Sequence, residues 1–146
     1  MTSHIDALLR CVDEQSALLD EFIDVLQAEG DLLLGTPSNE ALSALNIRKK
    51  DYARRLAELD QSRAAALDGL GQPDNHAGVA AICAQYPDLQ AAFDAMFERA
   101  GQASTLNQAN GQTIQLLAER NQQALDTLRG LMGQDLYDAH GRLPKK

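Results

Sequence analysis

The chain has 146 residues, enough for one domain with a hydrophobic core but short for two, and its aromatic content is 4% with no tryptophan. Its formal net charge is -8 at pH 7, which argues against nucleic acid as a partner, because phosphate backbones are bound by lysine and arginine. Leucine and alanine, accompanied by glutamine, acidic residues and arginine, are typical of long helices. The composition therefore predicts an all-α protein.

Compartment and surface charge follow from local composition. Residues 1–6 lack the basic start and apolar run of a secretory signal, and no stretch approaches the roughly 20 apolar residues of a membrane span. We therefore expect a cytoplasmic protein without direct membrane insertion. Cys11 and Cys83 occupy apolar helical positions, where buried free thiols are expected in a reducing compartment. The basic residues between Arg48 and Arg55 alternate with acidic ones, which favours a solvated helix face.

Two amphipathic helices joined by a short turn account for the first half of the chain. Apolar residues recur at helical spacing from Ile5 to Leu26. Thr36, followed by proline, has the character of an N-cap for a second helix that ends near Gly69. Lys49 lies within the apolar stripe of that helix, and we expect its charge to lie in water above a covered stem. The pair predicts an antiparallel helical hairpin.

A loop and a short helix lead into the longest predicted helix. Residues 72–76 are rich in turn formers, and Pro87 closes the short helix that follows them. One helix is then predicted over about residues 88–131, with Gly101 as its weakest point.

The predicted fold is thus an all-α one, an antiparallel helical hairpin plus a long C-terminal helix. This arrangement is a three-to-four-helix, coiled-coil-like bundle. We expect a single helical domain over residues 1–132 and a flexible C-terminal tail over residues 133–146, where the sequence is polar and rich in turn formers.

No catalytic or metal-binding constellation can be assembled from the sequence. His4, His76 and His140 lie at the start, in a loop and in the tail, without partners at metal-ligand spacing. The Gly-Leu-Gly sequence at residues 69–71 lacks the third glycine and the strand of a dinucleotide-binding loop. We therefore expect a protein that is not an enzyme and uses neither cofactor nor metal.

The long helix carries an apolar stripe that two asparagines interrupt. Asn110 and Asn121 fall within the stripe, and Gly111 follows the first of them. One interpretation is that the stripe receives a partner helix, whose register the amides fix. The other is that both amides are polar edges of an intramolecular bundle, and spacing alone leaves both open. The apolar positions are Leu106, Ile114, Leu117, Ala124, Leu128 and Leu131.

Three motifs in this part of the chain carry a family resemblance. Residues 106–111 read Leu-Asn-Gln-Ala-Asn-Gly, and Asn121 and Leu125 form an Asn-x-x-x-Leu pair on the helix that follows. Residues 136–141 read Leu-Tyr-Asp-Ala-His-Gly. Together they resemble the FlgN family of flagellar export chaperones, with its Leu-Asn-x-x-Asn-Gly motif and its Leu-Tyr-x-x-x-Gly ending.

The resemblance implies a cytoplasmic, non-enzymatic chaperone of the flagellar type III export system. Such a protein binds the C-terminal helical segments of the hook–filament junction proteins FlgK and FlgL and prevents their premature assembly. It delivers them to the cytosolic domain of the export-gate protein FlhA, for which Leu136 and Tyr137 are the implied docking residues. The implied cargo-binding residues are Asn110, Gly111, Ile114, Leu117, Asn121, Leu125, Leu128 and Leu131. The alternative is a self-associating coiled-coil protein, structural or regulatory, that forms a homo-oligomer without cargo.

Overall fold

The computed structural model describes residues 2–133, and the regular structure among them is helical. The all-α prediction is confirmed. Within these residues, no helix is both long and apolar enough to cross a membrane. The elements in chain order are α1 (Thr2–Leu34), α2 (Asn39–Gly69), α3 (His76–Gln85), α4 (Pro87–Leu128) and a π-helical turn (Arg129–Gly133).

The first two helices form the predicted antiparallel hairpin. Near the start of α1, the Cys11 thiol donates a hydrogen bond to the backbone carbonyl of Leu59, at 3.2 Å. Near its end, Glu29 pairs with Lys49. Partners on α2 therefore move backwards along the chain as α1 moves forwards, which is the contact pattern of antiparallel helices.

The start of α2 differs from the sequence prediction by two residues. Ser38, in an extended backbone conformation, is the N-cap, and its hydroxyl accepts a hydrogen bond from the Ala41 N–H at 3.1 Å. The expected cap at Thr36 is therefore wrong. Pro37 precedes the cap instead of opening the helix, so the Ser38 hydroxyl is the one that reaches an unpaired N–H of the first turn.

Gly71 ends α2 in the left-handed conformation, with φ of 77°. Its N–H donates to the Asp68 carbonyl at 2.9 Å, and the N–H of Gln72 donates to the Leu67 carbonyl, also at 2.9 Å. These two bonds make a Schellman motif, which satisfies the last carbonyls of the helix. Glycine adopts this conformation without the steric cost that a Cβ would add.

The predicted loop packs tightly against the first turn of α3. The Asn75 side chain caps this helix by accepting a hydrogen bond from the Gly78 N–H at 2.8 Å. A Cβ at Gly78 would overlap the backbone carbonyl oxygen of Pro73. Glycine at this position is therefore required by the close approach of the loop.

Buried apolar residues from all four α-helices form one hydrophobic core. Phe93 is the largest fully buried side chain, and burying a side chain of this kind contributes about 1.5–3 kcal/mol. At the edge of the core, Arg99 of α4 donates to the Asp20 carboxylate of α1 at 2.8 Å. Cys11 and Cys83 are buried free thiols, as predicted.

By its contacts the chain divides into two compact units, Met1–Asn110 and Gly111–Lys146. The first unit contains the hairpin, α3 and the first part of α4. In the second, no side chain within residues 111–132 is buried. The single domain over residues 1–132 and the flexible tail over residues 133–146 stay predictions.

Candidate functional site

The second unit presents large apolar side chains to solvent. Within residues 111–132, six of them have exposed fractions between 42% and 69%. Exposed apolar surface, where it is contiguous, marks protein–protein interaction sites in water-soluble proteins. These exposed side chains, which we call the apolar face, are Ile114, Leu116, Leu125, Leu128, Leu131 and Met132.

Four of the predicted cargo-binding residues belong to the apolar face. Ile114, Leu125 and Leu128 lie on α4, while Leu131 lies in the π-helical turn. In a π-helix the hydrogen bonds span five residues, so α-helical spacing no longer predicts which side Leu131 takes. Leu117, also predicted, is half-buried.

Two members of the apolar face are absent from the predicted cargo-binding residues. Leu116 is two residues from Ile114, so it points to another side of the helix. Met132 lies in the π-helical turn. Both are large apolar residues, which is a signal present in the sequence, but helical spacing alone does not select them.

Asn121 and Gly111 are both exposed on α4. A Cβ at Gly111 would meet no atom within 4 Å, so the fold of the chain does not require glycine there. Glycine inside a helix costs about 0.5–1 kcal/mol relative to alanine. Its presence is therefore not explained by packing within the described residues.

Asn110 is not exposed like these two residues: its side chain is buried within the first unit. Its amide nitrogen donates to the Leu26 carbonyl at 2.8 Å and to Glu29 Oε1 at 3.0 Å. Lys49 Nζ donates to both oxygens of the same carboxylate, at 3.1 and 3.2 Å. The structure thus favours the intramolecular interpretation of this amide. We call Asn110, Glu29 and Lys49, with the Leu26 carbonyl, the polar cluster.

The charges of the polar cluster are balanced inside the fold. The side chain of Glu29 is 1% exposed, and a buried carboxylate is costly unless it is paired and hydrogen-bonded. Lys49, with its side chain 22% exposed, supplies the pairing charge, so its ammonium group is bound by Glu29 and is not held by water alone, as the sequence had led us to expect. A signal for this pairing was available, because Gln15, Phe22 and Glu29 recur at steps of seven on α1, as residues facing one partner helix do.

A second polar group links α1, α2 and the loop before α3. Gln15 donates to Asp60 at 2.8 Å and accepts from Arg63 at the same distance. Arg63 also donates to Asp74 at 3.1 Å. Burial lowers the pKa of Arg63. The hydrogen bonds and charges of Asp74 and Asp60 raise it by more, so the pKa lies above its ordinary value. This network satisfies the buried amide of Gln15.

One cleft of the first unit gathers several carboxylates. It has a volume of about 450 Å³, lies between α1 and α2 and includes Glu14, Glu21 and Glu58 in its lining. Glu58 pairs with Arg54 of its own helix, and Glu21 accepts from the Tyr52 hydroxyl. Among residues 2–133, no group of His, Cys, Asp or Glu is placed to hold a metal ion.

The predicted docking residues Leu136 and Tyr137 lie outside the described residues.

Comparison with known families identifies the family of the whole chain. The family model for FlgN protein matches residues 1–145. This chain belongs to the FlgN family. The family is one of flagellar export chaperones and not of enzymes, so this FlgN-family protein is a helical chaperone of flagellum biogenesis. Neither a curated protein nor a solved structure matches it.

Proposed function

We propose that this FlgN-family chaperone binds the C-terminal helical segments of the hook-associated proteins FlgK and FlgL. The apolar face is the proposed binding surface, with Leu117 and Asn121 completing it. The observation that supports this proposal is the exposure of six large apolar side chains within residues 111–132. Exposed apolar surface of this extent is unfavourable in water and is covered when a partner binds.

The proposed binding mode is that of an amphipathic helix laid along an apolar helix face. Burying one leucine side chain contributes about 1.5–3 kcal/mol, while association itself costs several kcal/mol of lost freedom. The resulting affinity is moderate, which suits a chaperone that must release its cargo without a nucleotide or a covalent step. Covering the terminal segments of FlgK and FlgL also keeps these proteins from assembling prematurely.

Delivery of the loaded chaperone is the second part of the proposal. We propose that the complex forms in the cytoplasm and docks on the cytosolic domain of the export-gate protein FlhA through Leu136 and Tyr137. The support comes from the sequence, where an aromatic and an aliphatic residue stand together in a polar segment. Such residues are frequent binding anchors, because they bury much apolar area for little loss of side-chain freedom.

Calorimetry with a synthetic peptide of the C-terminal helical segment of FlgK tests the cargo site. The double variant Leu125→Asp with Leu128→Asp should weaken binding by about 100-fold or more, because two leucines that the bound peptide would cover are replaced by charges. Leu34→Asp with Ile47→Asp is the matched control, since both residues are exposed but belong to the first unit. We expect the control to bind as the unaltered protein does.

Circular dichroism separates a lost contact from a lost fold in this test. Both double variants should retain the helical signal. Equal loss of binding in the two double variants would contradict the assignment of cargo to the apolar face.

Light scattering addresses self-association, which the same exposed face also favours. The unaltered chain should form a complex of defined mass with the FlgK peptide. A stable oligomer whose mass is unaffected by the peptide would contradict the cargo proposal and favour a self-associating coiled coil.

Docking on the export gate has a separate test. Tyr137→Ala should leave the affinity for the FlgK peptide unchanged and weaken binding of the loaded chaperone to the FlhA cytosolic domain. If peptide affinity fell together with FlhA binding, the proposed division between the apolar face and the tail would be wrong.

A further inference from the structure

The packed part of α4 ends on a polar residue. The buried residues of this helix are apolar from Leu89 to Ala103, and the last of them is Asn110. This asparagine is 7% exposed, and no residue of 111–132 is buried. The change from covered to exposed side chains on α4 therefore coincides with the amide of Asn110.

We propose that Asn110 is a positioning residue, which fixes the register of α4 on α1 and thereby sets the residue at which the cargo-binding face begins. The first half of this statement concerns the first unit alone. The second half rests on the proposed function, because it assigns a consequence for cargo binding.

Apolar contacts by themselves specify this register weakly. The buried apolar residues of α4 recur at steps of four, three and seven, at Leu89, Phe93, Met96 and Ala103. Such a stripe looks much the same after a shift of one helical turn, and apolar attraction has no directional preference. A buried amide at one position in an apolar stripe does distinguish registers, as it does in coiled coils.

The hydrogen bonds of Asn110 have the directionality that register requires. Its amide group donates two, to the Leu26 carbonyl and to the Glu29 carboxylate. In a register shifted by four residues, Leu106 or Ile114 would face these two acceptors in place of the amide. Glu29, with its side chain 1% exposed, would then lose a hydrogen bond that water does not replace, and such losses are costly.

Gly30 and Lys49 make the receiving site specific for an amide. A Cβ at Gly30 would lie 3.1 Å from Asn110 Oδ1, so the absence of a side chain there lets the amide approach α1 closely. Lys49 holds the Glu29 carboxylate from the side of α2. The acceptor for Asn110 is thus itself fixed by the hairpin. Because the amide nitrogen is bonded inside the fold, we assign Asn110 to positioning α4 and not to cargo contact.

Asn110→Asp tests the inference with no change of side-chain size. An aspartate there cannot donate the two hydrogen bonds near neutral pH, and it places a second carboxylate against Glu29. Hydrogen exchange of the backbone amides of residues 103–110 should accelerate by about tenfold or more. Asn107→Asp is the matched control on the same helix, because Asn107 is exposed. Its exchange should remain that of the unaltered chain.

A swap of the two groups guards against simple unfolding. Combining Glu29→Gln with Asn110→Asp restores one amide, one carboxylate and a partner for Lys49, with donor and acceptor exchanged. Exchange of residues 103–110 should then be slower than in Asn110→Asp alone. A role in filling space would give no such recovery, since both substitutions keep the volume. The inference would be overturned if the two substitutions accelerated exchange of residues 103–110 additively. It would also be overturned if Asn110→Asp exchanged as Asn107→Asp does.

The FlgK peptide separates this inference from the proposed function. Asn110→Asp should weaken peptide binding, whereas Asn107→Asp should not. Faster exchange with unchanged affinity would overturn the claim that Asn110 sets the cargo-binding face. Failure of the peptide to bind the unaltered chain would instead contradict the proposed function and leave the exchange result standing.

Discussion

Two glycines, Gly78 and Gly111, differ in what a methyl group would meet. Gly78→Ala should destabilise the protein by about 1–3 kcal/mol or more, because the added Cβ would overlap the Pro73 carbonyl oxygen. Gly111→Ala should stabilise it by about 0.5–1 kcal/mol, because a Cβ there has open space. Urea unfolding of the two variants checks both signs, and two equal free-energy changes would contradict the packing described for the loop.

The same Gly111→Ala variant also bears on cargo binding. If the peptide contacts the backbone at Gly111, its affinity should fall although the chaperone is more stable. Calorimetry with the FlgK peptide measures this, and an unchanged affinity would remove Gly111 from the cargo-binding residues.

Cys11 and Cys83 should react with thiol reagents slowly in the native protein and rapidly in urea. Burial raises the pKa of both thiols above the ordinary value of 9.0, so less reactive thiolate is present. In the unfolded chain the two thiols ionise at a lower pH than in the folded protein. Their contribution to the free energy of unfolding is therefore complete below pH 9.0 and is lost as the pH rises through the folded pKa. Reaction rates with and without urea check the predicted difference in reactivity, and equal rates would contradict the burial of the two thiols.

Helical spacing predicts the face on which a residue lies, but it does not predict the residue opposite. Lys49 and Asn110 were both placed correctly in apolar stripes of their helices. Their common partner, Glu29, lies on α1 and is 81 residues from Asn110 in the chain. Only the packed structure brings these groups together, which is why the sequence leaves two interpretations of Asn110 open.

At the scale of elements, the ends of α2 show where local sequence is decisive. The glycine stop near residue 69 is predicted correctly, because the left-handed conformation that ends a helix favours glycine. The N-cap is not, because Thr36 and Ser38 both carry a hydroxyl on either side of a proline. Which hydroxyl reaches the first turn depends on backbone angles that composition does not specify.

Alanine substitutions at these two hydroxyls test the cap assignment. Ser38→Ala should lower the free energy of unfolding by about 1 kcal/mol, because an N–H of the first turn loses its partner. Thr36→Ala should change it by no more than about 0.5 kcal/mol, as at an ordinary surface position. Urea unfolding measures both, and a larger effect at Thr36 would show that α2 begins where the sequence predicts.

The length of α4 is predicted well, since its apolar residues keep helical spacing from Leu89 onwards. Its last turn is not, because the π-helical hydrogen bonds of Arg129–Gly133 have no signature in that spacing. The apolar face therefore includes Leu131 and Met132 through local geometry as well as through sequence.

For the whole molecule, the all-α class and the hairpin follow from the sequence, and the division into two compact units does not. The first unit has a hydrophobic core, although Leu34, Ile47 and Phe97 are exposed, whereas residues 111–132 contain no buried side chain. Local opening is easier where few apolar contacts must be broken. We therefore expect backbone amides of residues 111–128 to exchange faster than those of residues 87–110, although both belong to α4.

Hydrogen exchange of the full chain, with and without the FlgK C-terminal peptide, tests the central claim most directly. We predict that the peptide slows exchange of residues 111–132 and leaves α1 and α2 unchanged, because the apolar face is where cargo is covered. Slower exchange confined to α1 and α2, or no change when the peptide is bound, would contradict the account.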